Sequence, residues 1–260
     1  MDLTLTTWNL KGSEGPDIDA VVEHLLATRA DVVVLQEVQR HQARAVARGL
    51  DAASLGWGFK HWPVLTWPEG MAVIGVSRPV AVRTRALSFR VRFWSWRRRI
   101  VQTATVEVAG PEPGAGAGGP AARLTLVNAH LSPHSQEAIR ATQVAAMVRA
   151  LAAAPGPQIV AGDLNDSPGA ALFTQFAEAG LRDGWSAVHP GGSEREGATN
   201  WRGWTPGTTE PPRRRLDYVL VSPALQVVEA SLPGDQAGGW APFNQLSDHL
   251  PLTVTVTVTP

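Results

Sequence analysis

The first forty residues change their apolar pattern three times. Residues 3–9 alternate apolar and polar positions, which predicts a half-buried strand. From Ile18 to Leu26 apolar residues recur at i, i+3, i+4, i+7 and i+8, one face of an amphipathic helix. The continuous apolar run DVVVLQE (31–37) then predicts a strand buried on both faces.

The same order returns in the second half of the chain. RLTLVNAHL (123–131) predicts a strand, SQEAIRATQVAAMVRALAAA (135–154) a helix capped by Ser135, and PQIVAGDLN (157–165) a second buried strand. Each half therefore follows a strand, helix, strand pattern. A diverged duplication would produce this pattern, and so would two independent units.

The remaining segments complete one domain, residues 1–260. Residues 57–108 are strand-like with turns, and RLDYVLVS (215–222) and SDHLPLTVTVTV (247–258) predict two later strands. GPEPGAGAGGP (110–120) has no apolar residue larger than alanine, so we expect a flexible hairpin loop there rather than a domain linker. Residues 191–215 are loop-like.

Composition narrows the class of protein. The chain has no cysteine, which excludes disulfides, thiolate metal sites and a cysteine nucleophile. Its net charge is zero, yet residues 70–106 hold eight arginines and no Asp or Glu, which predicts one positively charged region. No apolar run reaches the roughly 18 residues of a membrane span, and the start lacks a signal sequence. We expect a soluble, cytoplasmic monomer that does not bind membranes.

Polar residues follow or precede the apolar runs of five predicted strands, where α/β sheets place ligand sites. They are Asn9, Glu37, Asn128, His130, Asp163, Asn165, Asp217, Asp248 and His249. Each alone has an ordinary structural explanation, such as a turn or a hydrogen-bonded histidine. Together they predict one shared site, because buried polar groups are costly unless they are partnered.

The residue types in this set indicate a reaction. Carboxylate and carboxamide oxygens are the ligands that Mg²⁺ or Mn²⁺ prefers. Two histidines beside carboxylates can act as acid and base near neutral pH, and a neighbouring Asp can fix the tautomer of each. A metal, an acid and a base together predict hydrolysis of a phosphate ester.

Six motifs, spread in order over nearly the whole chain, resemble those of the endonuclease/exonuclease/phosphatase superfamily. They are TWNL, LQE, NAHLS, GDLNDSP, RLDYVLVS and SDHLP. The resemblance implies an α/β fold, a four-layer α/β sandwich in which two mixed β-sheets pack face to face with helices outside. It also implies that Glu37 holds the divalent metal with support from Asn9, and that Asp248 is a ligand or lies just behind the ligands. One metal and two metals both remain open.

The resemblance also implies catalytic roles. Asp217 would orient His249, and His249 would be the base or proton shuttle for the attacking water. His130 would contact the scissile phosphate as acid or charge stabiliser. Asp163 and Asn165 would position the water and the phosphate, and which carboxylate activates the water stays open.

Substrate contacts are expected from Asn128 and from Arg99, or failing that Arg98, ahead of a strand. Glu69 lies where some members of this superfamily place an acid that supports the histidine matched by His130. A turn residue before a strand explains Glu69 equally well.

The stretch RVRFWSWRRR (90–99) bears on the substrate. If it is extended, one face holds Arg90, Arg92, Trp94, Trp96 and Arg98. Arginines for phosphates and aromatic rings for bases suit a groove for single-stranded nucleic acid. The alternative is an amphipathic strand whose tryptophans pack on the core. Three loop tryptophans, Trp201, Trp204 and Trp240, would either shape a substrate pocket or pin the loops.

Departures from the motifs of known subfamilies narrow the range of expected substrates. QEVQR lacks the Thr-Lys pair typical of abasic-site endonucleases, and RRLDY differs from the WCDR-type motif of inositol-polyphosphate phosphatases. Bacterial sphingomyelinases are typically secreted, and no signal sequence is expected here. We therefore expect a metal-dependent phosphodiester hydrolase, a nuclease that acts on DNA or RNA through an activated water. The alternatives are a phosphomonoesterase, a lipid or small-molecule phosphodiesterase, and an inactive binding scaffold.

Overall fold

A computed structural model describes residues 2–59, 61–62, 68–92, 95–108, 122–192, 195–201, 203–233 and 239–258. For residues 61–62, 88–92, 95–98 and 122 it describes the backbone alone. Strands and helices are numbered below in chain order. No helix within these ranges is long and apolar enough to cross a membrane.

Two sheets contain all the described strands. The first has the order β12-β13-β1-β2-β5-β3, and the second β10-β11-β9-β8-β7-β4 with β6 paired to β7. The first comprises β1 (Asp2–Asn9), β2 (Val32–Gln39), β3 (Ser54–Phe59), β5 (Glu69–Gly75), β12 (Leu225–Ser231) and β13 (Leu252–Val258). The second comprises β4 (His61–Trp62), β6 (Val80–Arg92), β7 (Ser95–Val108), β8 (Ala122–His130), β9 (Gln158–Asp163), β10 (Arg182–Asp183) and β11 (Asp217–Val221).

In the described part of the chain five α-helices accompany the sheets: α1 (Ile18–Thr28), α2 (Arg40–Gly49), α3 (Glu137–Ala152), α4 (Ala171–Glu178) and α5 (Gly184–Val188). The pairs β1/β2 and β8/β9 are parallel and the other pairs antiparallel, so both sheets are mixed. Each parallel pair is joined by one helix, α1 or α3. This confirms the strand, helix, strand pattern predicted for each half.

The alternation along each strand explains the layers. One face of β1 and β2 (Leu3, Leu5, Val32, Val34) packs against Leu124, Leu126, Ile159 and Ala161 of the second sheet. The opposite faces are covered by helices: Val33 and Leu35 belong to a cluster with α1 and α2, and Val127 and Val160 to a cluster with α3 and α4. The predicted four-layer α/β sandwich of two mixed sheets is thereby confirmed.

The start of α3 differs from the prediction. Residues His134–Gln136 form a 3₁₀ turn in which the Gln136 N–H bonds to the Pro133 carbonyl, 2.8 Å away. This turn takes in Ser135, and the helix begins at Glu137. Ser135 as the cap is therefore wrong, because Gln136 occupies that position and makes no side-chain capping bond.

The stretch 90–99 is a hairpin and not one strand. β6 ends at Arg92, β7 begins at Ser95, and these two residues pair in an antiparallel register. The single extended face predicted from the sequence is therefore wrong. Trp94 lies outside the described residues, as do the side chains of Arg90, Arg92, Trp96 and Arg98.

The glycine-rich stretch 110–120 also lies outside the described residues. The strands on either side of it, β7 and β8, pair antiparallel up to Val108 and Ala122. This is the pairing expected of a hairpin. Between residues 191 and 215 the described parts contain no helix or strand, as predicted.

Candidate active site

The two parallel strand pairs bring polar side chains from distant parts of the chain to one edge of the sandwich. Their carboxyl ends carry Asn9, Glu37, His130 and Asp163. Asp217 at the start of β11 pairs directly with Asp163, since β11 runs antiparallel to β9. His249 follows in the segment before β13. The two sheets face each other, so side chains from both meet between them.

Asp163 lies at the centre of this cluster. Its Oδ2 accepts hydrogen bonds from the Asn9 Nδ2 at 3.1 Å and the Asn165 Nδ2 at 3.3 Å, and lies 3.6 Å from the His130 Nε2. Gly162 precedes it with φ 135°, and a Cβ there would lie 2.0 Å from the Ala129 carbonyl oxygen. Only glycine fits where β9 approaches β8 this closely, and this approach fixes the position of Asp163.

Asn165 reaches Asp163 by a turn and not by continued extension of the strand. Its φ is 54°, in the left-handed region that asparagine tolerates. The chain folds back, so the Asn165 N–H donates to the Asp163 Oδ1 at 2.9 Å and its Nδ2 donates to the Leu131 carbonyl at 3.1 Å. The two side chains therefore meet through a turn that follows β9.

Burial perturbs the central carboxyl group. It raises the pKa of Asp163 from 3.8 to about 6, although the charge of His249 and the hydrogen bond from Asn9 oppose the change. The neighbouring carboxylates of Asp217 and Glu37 raise it further. Asp163 can therefore exchange a proton close to neutral pH.

His249 is held by Asp217. Its Nδ1 lies 2.7 Å from the Asp217 Oδ2, and its Nε2 points toward Asp163, 4.0 Å from the Oδ2. Both the histidine and Asp217 are buried. The backbone of His249 is fixed as well: the Trp8 indole donates to its carbonyl at 2.8 Å, and its N–H donates to the Ser247 Oγ at 3.1 Å.

Ser247 and Trp8 were not selected from the sequence, although both lie inside recognised motifs. The Ser247 Oγ also donates to the Asn9 carbonyl at 2.6 Å. It therefore links the end of β1 directly to the histidine. The sequence signal that could have identified Ser247 is its position two residues before His249 in the SDHLP motif.

The pairing with Asp217 also sets the charge of His249. Burial, the largest single influence, lowers the pKa of His249, but the charge and hydrogen bond of Asp217, together with the charges of Asp163 and Asp248, outweigh burial and raise the pKa from 6.5 to about 10. Because folding raises the pKa of His249, the interaction of its imidazolium with these carboxylates stabilises the folded protein fully below pH 6.5. That contribution is lost as the pH rises through 10.

Replacing Asp217 by Asn should reverse this shift. The variant removes the negative charge and leaves burial, which favours neutral imidazole. We expect the His249 pKa in the metal-free protein to fall well below about 10, since the remaining carboxylates of Asp163 and Asp248 raise it less than Asp217 does. Titration of the imidazole signals by NMR would measure it, with the exposed His134 of the same protein as internal control. An unchanged His249 pKa would contradict the assigned pairing.

Glu37 occupies a bulge in β2. The register against β5 shifts between Gln36 and Val38, and Glu37 itself has φ 49°. Such a conformation costs energy for a residue with a side chain, and it re-aims that side chain out of the strand. The Glu37 Oε1 lies 3.7 Å from the His130 Nε2; the Glu37 side chain is 26% exposed and the His130 side chain 2% exposed. The carboxylate therefore faces the opening of the cluster.

The structure does not bring Asn128 to the opening. Its side chain is fully buried between the sheets, where its Nδ2 donates to the Leu35 and Ala72 carbonyls at 3.2 and 3.0 Å. Its Oδ1 accepts from the Gln36 Nε2 at 2.8 Å. Asn128 therefore ties the two sheets together below the site, and the expected substrate contact is not supported.

Asp248 lies at the rim, where its Oδ2 is 3.4 Å from the Lys11 Nζ. The Lys11 ammonium in turn lies 4.4 Å from the centroid of the Trp204 ring. Glu69 begins β5 and accepts a hydrogen bond from the Ser13 N–H at 3.2 Å. Arg99 lies on β7 two residues before Val101, so alternation places it on the helix-covered face of the sheet.

The loop tryptophans hold the loops in place. The Trp201 indole donates to the Glu210 carbonyl at 2.6 Å and the Trp204 indole donates to the Asn244 carbonyl at 2.9 Å. Trp201 is buried, and Trp204 and Trp240 pack against the same outer cluster. These contacts favour the loop-pinning alternative over an exposed pocket wall.

A buried ion pair behind the site was missed from the sequence. The Arg140 Nη2 lies 2.6 Å from the Asp166 Oδ2, and its Nη1 donates to the Pro133 carbonyl at 2.7 Å. The pair joins the loops that follow His130 and Asp163. The signal was present, because Arg140 falls on the same helical stripe as the buried Val144 and Met147 of α3.

The donor set at the opening fits a hard divalent cation. Among the described residues no three His, Asp or Glu side chains are grouped to hold a metal ion. Mg²⁺ does not require such a group, since it uses one or two carboxylates and keeps waters or substrate oxygens as its other ligands. The partly exposed carboxylate of Glu37, with oxygens of Asn9 and Asp163 in the same cluster, meets that need.

Known families and structures show the same architecture. The model described as "Endonuclease/Exonuclease/phosphatase family" matches residues 6–249. No curated protein sequence matches the chain. An endonuclease/exonuclease/phosphatase from Beutenbergia cavernae is 22% identical with a TM-score of 0.69, covering 99% of this chain and 72% of that one.

Two further solved structures superpose over nearly the whole chain. The human nocturnin catalytic domain with bound sulfate anion is 21% identical with a TM-score of 0.73, covering 99% of this chain and 95% of that one. TDP2 from D. rerio, complexed with single strand DNA product, is 19% identical with a TM-score of 0.67, covering 99% of both chains. At this identity the likeness shows a shared fold.

Proposed function

Because the chain belongs to the endonuclease/exonuclease/phosphatase family, we propose that it is a divalent-metal-dependent phosphodiester hydrolase that cleaves nucleic acid with an activated water. The observation that carries the proposal is the buried pair of His249 and Asp217, whose free imidazole nitrogen faces Asp163 at 4.0 Å. A paired histidine beside a carboxyl group with a perturbed pKa is typical of a hydrolytic centre.

The two pKa values divide the proton-transfer roles. At pH 7 Asp163 is mostly ionised, since its pKa is about 6, and His249 carries a proton, since its pKa is about 10. We therefore assign to Asp163 the deprotonation of the attacking water. His249 would donate a hydrogen bond to the phosphoryl group from its Nε2. The His249 base expected from the motifs becomes the alternative assignment.

The second histidine would act on the phosphate as well. His130 is buried, and its Nε2 lies 3.6 Å from Asp163 and 3.7 Å from Glu37. From this position it would contact the oxygens of a bound phosphate. Asn165, which is tied to the Asp163 carboxylate, would help to hold the water.

Glu37, with Asn9, would hold the Mg²⁺ or Mn²⁺ ion. When bound, such an ion stabilises the negative charge that develops on the phosphoryl oxygens. The Asp248 carboxylate is engaged by Lys11, so we place it at the rim and not among the first ligands.

Positive charge supports a polyanionic substrate. The segment 70–106 has eight arginines and no acid, and Arg83 and Arg85 are exposed on β6. In the same fold, TDP2 from D. rerio binds single strand DNA product. Nucleic acid is therefore the substrate class that we propose, in preference to a small phosphate ester.

A hydrolysis screen tests the proposal. Its substrates are single-stranded DNA, double-stranded DNA, RNA, a bis-aryl phosphodiester and an aryl phosphomonoester, each with Mg²⁺, with Mn²⁺ and with excess chelator. We expect nucleic acid and the bis-aryl diester to be cleaved with metal, and cleavage to stop with chelator.

An Asp163→Ala variant, purified in parallel, reports contaminating nucleases. Full activity in chelator would overturn the metal dependence. Turnover of the monoester alone would indicate a phosphomonoesterase, and no turnover of any substrate would indicate a binding scaffold.

A further inference from the structure

Helix α2 carries a row of exposed arginines. Arg40, Arg44 and Arg48 follow one another at four-residue spacing, and the helix contains no acidic residue. A rise of 1.5 Å per residue separates successive members by about 6 Å along the axis, so the row extends over about 12 Å. We refer to these three residues as the α2 arginine ridge.

The ridge does not stabilise the fold through ion pairs. No acidic partner of Arg44 or Arg48 is found within the described ranges, and Asp51, which lines the same shallow groove, forms no ion pair with either. The packing of α2 uses its other face, where Ala43 and Val46 are buried. Like charges four residues apart disfavour a helix, so the ridge costs helix stability.

The ridge begins beside the candidate active site. Helix α2 follows β2 directly, and Arg40 comes three residues after Glu37. The near end of the ridge therefore lies at the same edge of the sandwich as the cluster. Its far end points away along the outside of the first sheet. A ligand much longer than one phosphate is needed to contact both Glu37 and Arg48.

An aromatic surface accompanies the near end. The Arg40 guanidinium lies 5.9 Å from the centroid of the Trp57 ring, and the ring centroids of Trp57 and Phe59 are 6.3 Å apart. The Trp57 indole is half-buried and anchored by its hydrogen bond to the Val38 carbonyl at 3.1 Å. A base can stack on such a fixed ring only when it is unpaired.

We infer that the α2 arginine ridge, with Trp57 at its near end, is the track that binds a single-stranded nucleic acid as it leaves the active site. The phosphates of the strand lie along Arg40, Arg44 and Arg48, and one base stacks at Trp57. A single row of cations matches one phosphate backbone, which favours a single strand over a duplex. The inference rests on the proposed action on nucleic acid.

Binding without cleavage tests the track. A labelled 12-nucleotide single strand is titrated in excess chelator, by fluorescence anisotropy, from 50 to 200 mM salt. The test variant is Arg44→Gln/Arg48→Gln. The matched control is Arg123→Gln/Arg149→Gln, which removes the same charge from exposed positions of the other sheet and its helix.

Each lost phosphate contact lowers the slope of log K against log salt by about 0.7 for a single strand. We therefore expect a slope change of about 1.4 and a loss of affinity of roughly 25-fold at 0.1 M salt relative to the control. Hydrolysis of the bis-aryl diester with Mg²⁺ should be equal for both variants, because neither Arg44 nor Arg48 touches the cluster.

Equal affinity of the two variants for the single strand would overturn the track. So would an equal loss for single strand and duplex, which would show only a general positive field, and so would a parent protein that binds no oligonucleotide. If Arg44→Gln/Arg48→Gln weakens single-strand binding but the protein hydrolyses no diester, the track is supported and the proposed function is refuted. If the protein cleaves diesters but this variant binds the single strand as tightly as its control, the proposed function is supported and the track is refuted.

Discussion

Replacing His249 by Ala is expected to slow phosphodiester hydrolysis by about 10²- to 10³-fold, the usual loss for one positioned hydrogen-bond donor to the charge that develops in the transition state. Replacing Asp217 by Asn should also cause a large loss, because its Oδ2 lies 2.7 Å from the histidine and sets both its charge and its orientation. The double variant should be scarcely slower than His249→Ala alone. A residue that acts through another contributes little once its partner is gone.

The measurement is kcat and KM for the parent protein, the two single variants and the double variant. His134→Ala is the matched control, since its imidazole is also paired with an aspartate, Asp166 at 3.0 Å, but is 80% exposed. Loss of His249 leaves Asp217 buried and unpaired, which destabilises proteins by several kcal/mol. His249→Gln, which keeps a hydrogen-bond donor, is therefore measured as well. A double variant slowed by the product of the single effects would exclude the pairing.

Glu37→Gln should weaken metal binding by about 100-fold or more, with a matching loss of metal-dependent activity at low metal concentration. The variant keeps the shape and removes the charge that attracts the cation; even residues behind the ligands change metal affinity by about 10- to 100-fold. Because the side chain is 26% exposed, the loss of charge should leave the fold intact.

Titration with Mn²⁺ by calorimetry reports affinity without reference to activity. Glu23→Gln, an exposed acid on α1, is the control for general loss of negative charge. Unchanged Mn²⁺ affinity in Glu37→Gln would exclude Glu37 as a ligand. Equal weakening in both variants would show nonspecific attraction only.

Strand ends could be located from the sequence because apolar periodicity is a local property. The runs that end at Asn9, Glu37, His130 and Asp163 are each readable without the fold, and the six motifs fixed their order. The sequence did not show which polar residues near a strand end lie at the opening of the cluster and which lie buried between the sheets. Asn128 lies two residues before His130 and on the same face, and this small difference places it between the sheets.

Conformations that depend on tertiary packing also escaped the sequence analysis. The left-handed turn at Asn165 is stabilised by hydrogen bonds to Asp163 and Leu131, and the second of these lies 34 positions away. Here contacts made by the folded chain override the local preference.

The ties between Asn9 and His249 have a consequence for biosynthesis. Ser247 bonds to Asn9 and Trp8 to His249 across 238 and 241 positions, and β13 lies beside β1 in the first sheet. Until β13 has left the ribosome, the nascent chain has neither the histidine nor a partner for that side of β1. Such long-range pairing forms late and leaves an apolar strand edge open meanwhile. A growing chain therefore lacks the complete cluster until these late segments have emerged, and the open edge of β1 can aggregate in the meantime.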